Sequence, residues 1–224
     1  MNKVSVLIRT KNEEQWIGHC IQSILDNIDN PEIIILDNNS SDRSLQIARS
    51  FLQDKTLKNT RSKSYTNIKF LNIQDYTPGK SLNKGVKNSK NDYVMIISAH
   101  CVISKIDMKK TILDLKKNVC VFGNQIPIFF GKKLLKRYIW THFGEKEVKN
   151  MFSELENRHF LHNAIAIYKK SFLAKNKFDE NLSGKEDRYM AQEIINQKKS
   201  YLYDPNLEVM HHYTPGGKTW IGVA

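Results

Sequence analysis

Apolar runs in the first hundred residues each end in a polar cluster. Residues 4–8 give way to Arg9-Thr10-Lys11-Asn12-Glu13-Glu14, and residues 33–36 to Asp37-Asn38-Asn39-Ser40-Ser41-Asp42. Residues 68–73 lead into the turn Tyr76-Thr77-Pro78-Gly79-Lys80, and residues 93–97 into Ser98-Ala99-His100-Cys101. Short β-branched runs bounded in this way predict buried strands. Between the first two, Trp16, Ile17, Ile21, Ile24, Leu25 and Ile28 recur at helical spacing and stop before Asn30-Pro31. Leu45, Ala48 and Phe51 mark a second helix, and residues 81–88 a short third. Strands alternating with helices predict βαβ units, a parallel sheet and the α/β class.

The second half predicts helices over 107–117, 170–175 and 185–197, with strands over 119–122, 164–168, 201–203 and 209–210. Residues 53–66, rich in Lys, Thr, Ser and Asn, read as an exposed connection. The stretch 126–143 mixes Phe129, Phe130, Leu134, Leu135, Tyr138, Ile139 and Trp140 with Lys132, Lys133, Lys136 and Arg137. Its part 129–143 reads either as an amphipathic helix lying on an anionic bilayer or as apolar residues packed on the domain. No repeat or low-complexity linker divides the chain, so the expectation is one domain over 1–224.

Composition changes this picture in two ways. The net charge of +12, from 35 Lys and Arg against 23 Asp and Glu, implies attraction to something anionic: nucleic acid, a membrane surface or phosphorylated substrates. The lysines are scattered, however, and no nucleic-acid-binding motif accompanies them. The three cysteines are well separated and form no CxxC, which argues against a disulfide framework and for a reducing compartment. No stretch approaches the ~18 apolar residues of a membrane span, and no leader precedes the first strand. The expected location is cytoplasmic, with the inner membrane face as a peripheral option.

In an open parallel sheet, ligands bind beyond the carboxyl ends of strands where the strand order reverses. The clusters at 9–14, 37–42 and 98–101 fall at such ends. Asp37 there can accept bonds from a base or ribose, although Asp-Asn-Asn-Ser also suits a turn and helix cap. Glycine loops for phosphate are missing: there is no GxGxxG after the first strand and no GxxxxGK[ST], which argues against a Rossmann dehydrogenase or a P-loop enzyme. Gly184-Lys185-Glu186-Asp187-Arg188 opens a helix, where acids either answer the helix dipole or act as a general base. The pair His211-His212 is open between a surface feature and part of a metal shell.

In this order the motifs resemble the family 2 glycosyltransferases. The matching residues are 5–14 with Trp16-Ile17, Ile34 to Asp42, Pro78-Gly79-Lys80-Ser81-Leu82-Asn83-Lys84-Gly85 with Asn91-Asp92-Tyr93-Val94, and Phe178-Asp179-Glu180 with Gly184 to Asp187. The resemblance implies a GT-A fold, a Rossmann-like mostly parallel sheet flanked by helices. Residues 1–103 would form a nucleotide-sugar-binding half and 104–224 an acceptor-side half. It implies an inverting transferase that moves a sugar from a nucleotide-sugar donor to a glycan or lipid-linked acceptor in surface polysaccharide or lipopolysaccharide synthesis. Asp37 would contact the base, with Thr10, Asn12, Glu13 and Asn39 lining the pocket and Lys80, Asn83 and Ser98 near the donor. Asp187 would be the base and Glu186 its neighbour. A sugar nucleotidyltransferase is disfavoured because its Gly-rich loop is missing after the first strand. A basic nucleic-acid-binding module is the alternative outside enzymes.

One departure stands out. The family ends its fourth strand with Asp-x-Asp, whose carboxylate binds Mg²⁺ or Mn²⁺ against the diphosphate; this chain has Ser98-Ala99-His100. Three readings follow. His100, with His211 or His212, ligates a metal; or no metal is used, and Lys80 or Arg9 holds the leaving phosphate, as suits a monophosphate donor; or transfer has been lost.

Overall fold

A computed structural model describes residues 3–52 and 67–220. The stretch 53–66, expected to be an exposed connection, lies outside the described residues.

The elements follow in chain order as β1 (Val4–Thr10), α1 (Ile17–Asn27), β2 (Glu32–Asp37), α2 (Ser44–Arg49), β3 (Ile68–Asn72), α3 (Pro78–Asn88), β4 (Tyr93–Ser98), β5 (Cys101–Lys105), α4 (Met108–Lys117) and β6 (Cys120–Phe129). The two-residue strands β7 (Lys132–Lys133), β8 (Val148–Lys149), β9 (Phe152–Ser153) and β10 (Arg158–His159) come next. After them come β11 (Ile165–Lys169), α5 (Lys170–Leu173), α6 (Glu186–Asn196) and β12 (Tyr201–His212). Short 3-10 turns occupy Tyr138–His142 and Lys218–Trp220.

The main sheet runs β3-β2-β1-β4-β11-β6-β12-β5. Its first four strands are parallel, β11 runs antiparallel to both β4 and β6, and β12 is parallel to β6 and antiparallel to β5. The sheet is therefore mixed, with a parallel half and a more antiparallel half beyond β4. Both faces are buried, which explains why the strands read as continuous apolar runs rather than alternating ones. Leu7, Ile34, Ile96 and Phe122 pack on one face. Val6, Ile8, Ile35 and Ile97 pack with α1 residues Ile17, Ile21 and Ile24 on the other.

Local chemistry moves several boundaries. Residues 76–80 are not only a turn: α3 begins at Pro78, because Thr77 accepts the Lys80 amide (3.2 Å) and Pro occupies the first helical position, where its missing N–H costs nothing. β12 is one strand rather than two, broken in register between Asp204 and Glu208. Asp204 there accepts the Asn206 amide and folds a bulge around Pro205. The amphipathic-helix reading of 129–143 fails. Residues up to Phe129 extend β6 along β12, Gly131 turns the chain at φ +79°, and only Tyr138–His142 is helical. Trp140 and Phe143 pack in the core, whereas Phe130, Leu135 and Tyr138 are exposed. Among the described residues, no helix is long and apolar enough to cross a membrane.

Candidate active site

The strand order reverses between β1 and β4. The chain winds outward from β1 to β2 and β3, then returns to the other side of β1. The carboxyl ends of these strands frame a crevice. β1 contributes Arg9 and Thr10, β2 contributes Asp37, and β4 contributes Ser98 followed by His100.

Main-chain ties knit the clusters at the strand ends together. Asn38 donates to the Thr10 carbonyl (3.0 Å), Ala99 to that of Arg9 (3.2 Å) and Ser98 to that of Ala164 (3.2 Å). Asn12, in the left-handed region at φ 54°, donates its amide to Ser40 Oγ (3.0 Å) and accepts the Ser41 amide at Oδ1 (2.8 Å). Asn12 thus clamps the first two loops together. Asp37 is buried and accepts the Ser40 amide at 3.2 Å, the turn its sequence allowed, while Asn39 receives a bond from Asn72 (2.9 Å). Thr10 Oγ1 is buried without a partner among the described residues.

The acidic pair arrives from the far end of the chain. Lys185 sits at φ 61° and turns the backbone into α6, whose first residues are Glu186 and Asp187. Glu186 Oε1 accepts from Arg9 (2.6 Å), so β1 and α6 are joined at the crevice floor by a buried ion pair. Burial opposes the charge on Arg9, but Glu186, Tyr76 and Asp187 together raise the guanidinium pKa. Asp187 Oδ2 accepts the Asn163 amide (3.1 Å), and Oδ1 accepts from the Arg188 amide (2.9 Å) and guanidinium (3.0 Å). Burial alone would raise the Asp187 carboxyl; Arg188 first, then His162 and the Asn163 amide, hold it below the ordinary carboxylate range. Glu186 also lines a cleft of about 360 Å³ beside Phe178, Asp179 and Tyr189.

A chain of imidazoles closes the crevice from the other side. Glu13 Oε1 meets His100 Nδ1 (2.8 Å), His100 Nε2 meets His211 Nε2 (3.1 Å), and His211 Nδ1 meets Gln125 Oε1 (2.8 Å). Burial, with His100 as the next cause, keeps His211 well below its ordinary pKa. His212 is not part of this chain. Side chains alternate along a strand, so when His211 points to His100 its neighbour points away. His212 instead stacks on Trp16, with ring centroids 3.9 Å apart. Burial, then His19 and His100, lowers its pKa to about 4.

The expected residues therefore divide. Arg9, Thr10, Glu13, Asp37, Ser98, His100, Glu186, Asp187 and His211 lie at the crevice or in the chains leading from it. Lys80 stands 3.7 Å from the exposed Asp75. Asn83 spends its amide on the segment before α6, donating to Phe178 O (2.9 Å) and Glu180 (2.8 Å) and accepting from Phe178 N (3.0 Å). Three residues were not foreseen: Gln125, Arg188 and His162. His162 accepts the Ala164 amide at Nδ1 (3.0 Å), which leaves Nε2 as its N–H. Burial, then Arg188, takes its pKa down to about 3.

Comparison with known proteins places this geometry. The sequence profile of Glycosyl transferase family 2 matches residues 5–176. The chain belongs to that family. Minor teichoic acid biosynthesis protein GgaB of Bacillus subtilis (strain 168) is 27% identical over 210 residues, covering 88% of this chain and 21% of GgaB. A dolichyl N-acetyl-alpha-D-glucosaminyl phosphate 3-beta-D-2,3-diacetamido-2,3-dideoxy-beta-D-glucuronosyltransferase of Methanococcus voltae is 30% identical over 115 residues, half of this chain and 33% of that protein. The chain thus spans a third or less of the length of these two relatives. In structure it is similar to S. aureus TarS residues 1–349 in complex with UDP-GlcNAc, with a TM-score of 0.72 at 18% identity. That match covers 99% of this chain and 62% of the other, and at this identity it establishes the shared GT-A fold.

Proposed function

We propose that this family 2 member transfers a sugar, with inversion at the anomeric carbon, from a nucleotide-sugar donor to a glycan or lipid-linked acceptor in surface-glycan synthesis. The observation that carries the reading is the meeting of two distant parts of the chain. Glu186 and Asp187 are brought by Arg9 and Asn163 to the point where the strand order reverses. Family membership supports glycosyl over nucleotidyl transfer. The teichoic acid and glucuronosyl relatives support a surface glycan, and the UDP and UDP-GlcNAc complexes of TarS support a nucleotide-sugar donor.

In this mechanism Asp37 and the β1 and β2 loops hold the nucleotide, and the unpartnered Thr10 Oγ1 is free to bond it. The acceptor oxygen attacks the anomeric carbon and the bond to the leaving phosphate breaks. Asp187 takes the acceptor's proton as the new bond forms. Arg188 keeps Asp187 ionised, so it is ready as a base at neutral pH. Its low basicity suffices because the hydroxyl becomes acidic only as attack proceeds.

The donor atoms at the end of β4 fit a cation held by imidazole: His100 and His211 would bind it. Such a cation supplies positive charge against the departing phosphate. Lys80, whose partner Asp75 is exposed, is the cation available where no metal is used.

Asp187→Asn tests the reading. The variant is expected to lose transfer from a panel of nucleotide sugars by about 10²–10⁴-fold, while UDP still binds. Full activity in Asp187→Asn would overturn the assignment. Loss only in Glu186→Gln would move the base to the carboxylate that lines the cleft.

A further inference from the structure

The imidazole chain, with Cys101 beside it, brings together the donor atoms of a metal site. Glu13 is 7% exposed and its carboxylate can only accept from His100, so His100 carries its proton on Nδ1. Gln125 presents Oε1 to His211, so His211 also carries its proton on Nδ1. Two neutral rings so oriented point their Nε2 lone pairs at each other across 3.1 Å. Lone pairs at that distance repel unless a cation stands between them, either a second proton on His100 or a metal ion bridging the two rings.

Three details select the cation. Two imidazole nitrogens bound at about 2.0–2.1 Å to one tetrahedral ion lie roughly 3.3 Å apart, close to the spacing seen here. The outer partners match those of metal-bound histidines, whose second N–H is taken by a carboxylate or carbonyl oxygen. Cys101 Sγ lies within 4.8 Å of the imidazole ligand atoms, so the set is nitrogen and sulfur with no carboxylate. Such donors suit borderline transition ions and are poor partners for Mg²⁺, which demands oxygen and retains water. Glu13 Oε2 and Gln125 Nε2 are both buried without partners among the described residues.

We propose that His100 Nε2, His211 Nε2 and Cys101 Sγ form a binding site for a divalent transition ion of the Zn²⁺ or Co²⁺ class, with Glu13 and Gln125 orienting the two rings. The proposal deepens the glycosyl-transfer reading, in which this ion sits beside the donor phosphates. It is measured without substrate, so the two can fail separately.

The test is calorimetric titration of the chelator-treated protein with Zn²⁺, Co²⁺, Mn²⁺ and Mg²⁺, together with visible absorption of the Co²⁺ form. One ion per chain is expected, bound more tightly as Zn²⁺ or Co²⁺ than as Mn²⁺, and least as Mg²⁺. The Co²⁺ spectrum should show the intense bands of a four-coordinate site and a sulfur charge-transfer band that Cys101→Ser removes. His100→Ala abolishes the site, and Gln125→Leu weakens it by about 10–100-fold. Circular dichroism and a cooperative thermal transition report that each variant is folded, and UDP-induced stabilisation of the wild type judges the donor reading independently. Mg²⁺ binding as tight as Zn²⁺, or Zn²⁺ binding unchanged in folded His100→Ala, would overturn the proposal.

Discussion

His162 shows how a single side chain is held for work. Its Nδ1 is occupied by the Ala164 amide, and the segment around it is fixed by Asp187 on the Asn163 amide and Arg188 on the Leu161 carbonyl (3.0 Å). Burial and Arg188 keep it neutral down to about pH 3, against roughly 6.5 in an unfolded chain. Above pH 6.5 both states are neutral and the group contributes no pH dependence. Between 6.5 and 3 the unfolded chain takes up a proton that the folded protein refuses, so stability falls as the pH falls. The melting temperature should drop between pH 7 and pH 5, and His162→Asn should drop less over that interval. An equal drop in the variant would show that His162 titrates normally. At this scale the sequence was legible where motifs sit at strand ends, and Asp37, His100, Glu186 and Asp187 could all be singled out. His162 and Gln125 could not, because Arg188, which sets the charge around His162, and His211, which Gln125 meets, lie more than 20 residues away in sequence. The roles of His211 and His212 are separable by alternation alone once 201–212 is read as one strand.

Between elements, the N-terminus of α3 and the segment leading into α6 touch so closely that only glycine fits. A Cβ at Gly79 would lie 2.1 Å from the Asp179 carbonyl oxygen. Asn83, one turn further along α3, bonds the same segment at Phe178 and Glu180. Gly79→Ala must push this segment away, with a cost of about 1–3 kcal/mol in denaturant unfolding. Gly144→Ala, where nothing lies within 4 Å, should stay within about 0.5 kcal/mol. Comparable losses at the two positions would contradict the packing described. The strands and helices of the first half were legible because each is a short apolar run with its own stop signal. Those of 126–143 were not: the apolar and basic residues have helical spacing, but long-range pairing of β6 with β12 overrides it. β5 escaped for a similar reason, since Cys101–Lys105 is short and gains its identity only from β12.

Over the whole molecule, a parallel half supplies the strand ends of the crevice and a mixed half folds α6 and β12 back onto it. That return is what the sequence conveyed least. The order of motifs suggested it through family resemblance, while composition and periodicity gave no sign of which distant residues meet. The net charge of +12 fits phosphorylated substrates. The central claim is that the ends of β1, β2 and β4 bind the nucleotide of a sugar donor. Calorimetric titration with UDP and with UDP-GlcNAc, in wild type and in Asp37→Ala, tests it most directly. The account predicts saturable one-to-one binding to the wild type that Asp37→Ala weakens at least tenfold, about 1.4 kcal/mol. Binding that is indifferent to Asp37→Ala, or no binding of any nucleotide sugar by the folded wild type, would contradict it.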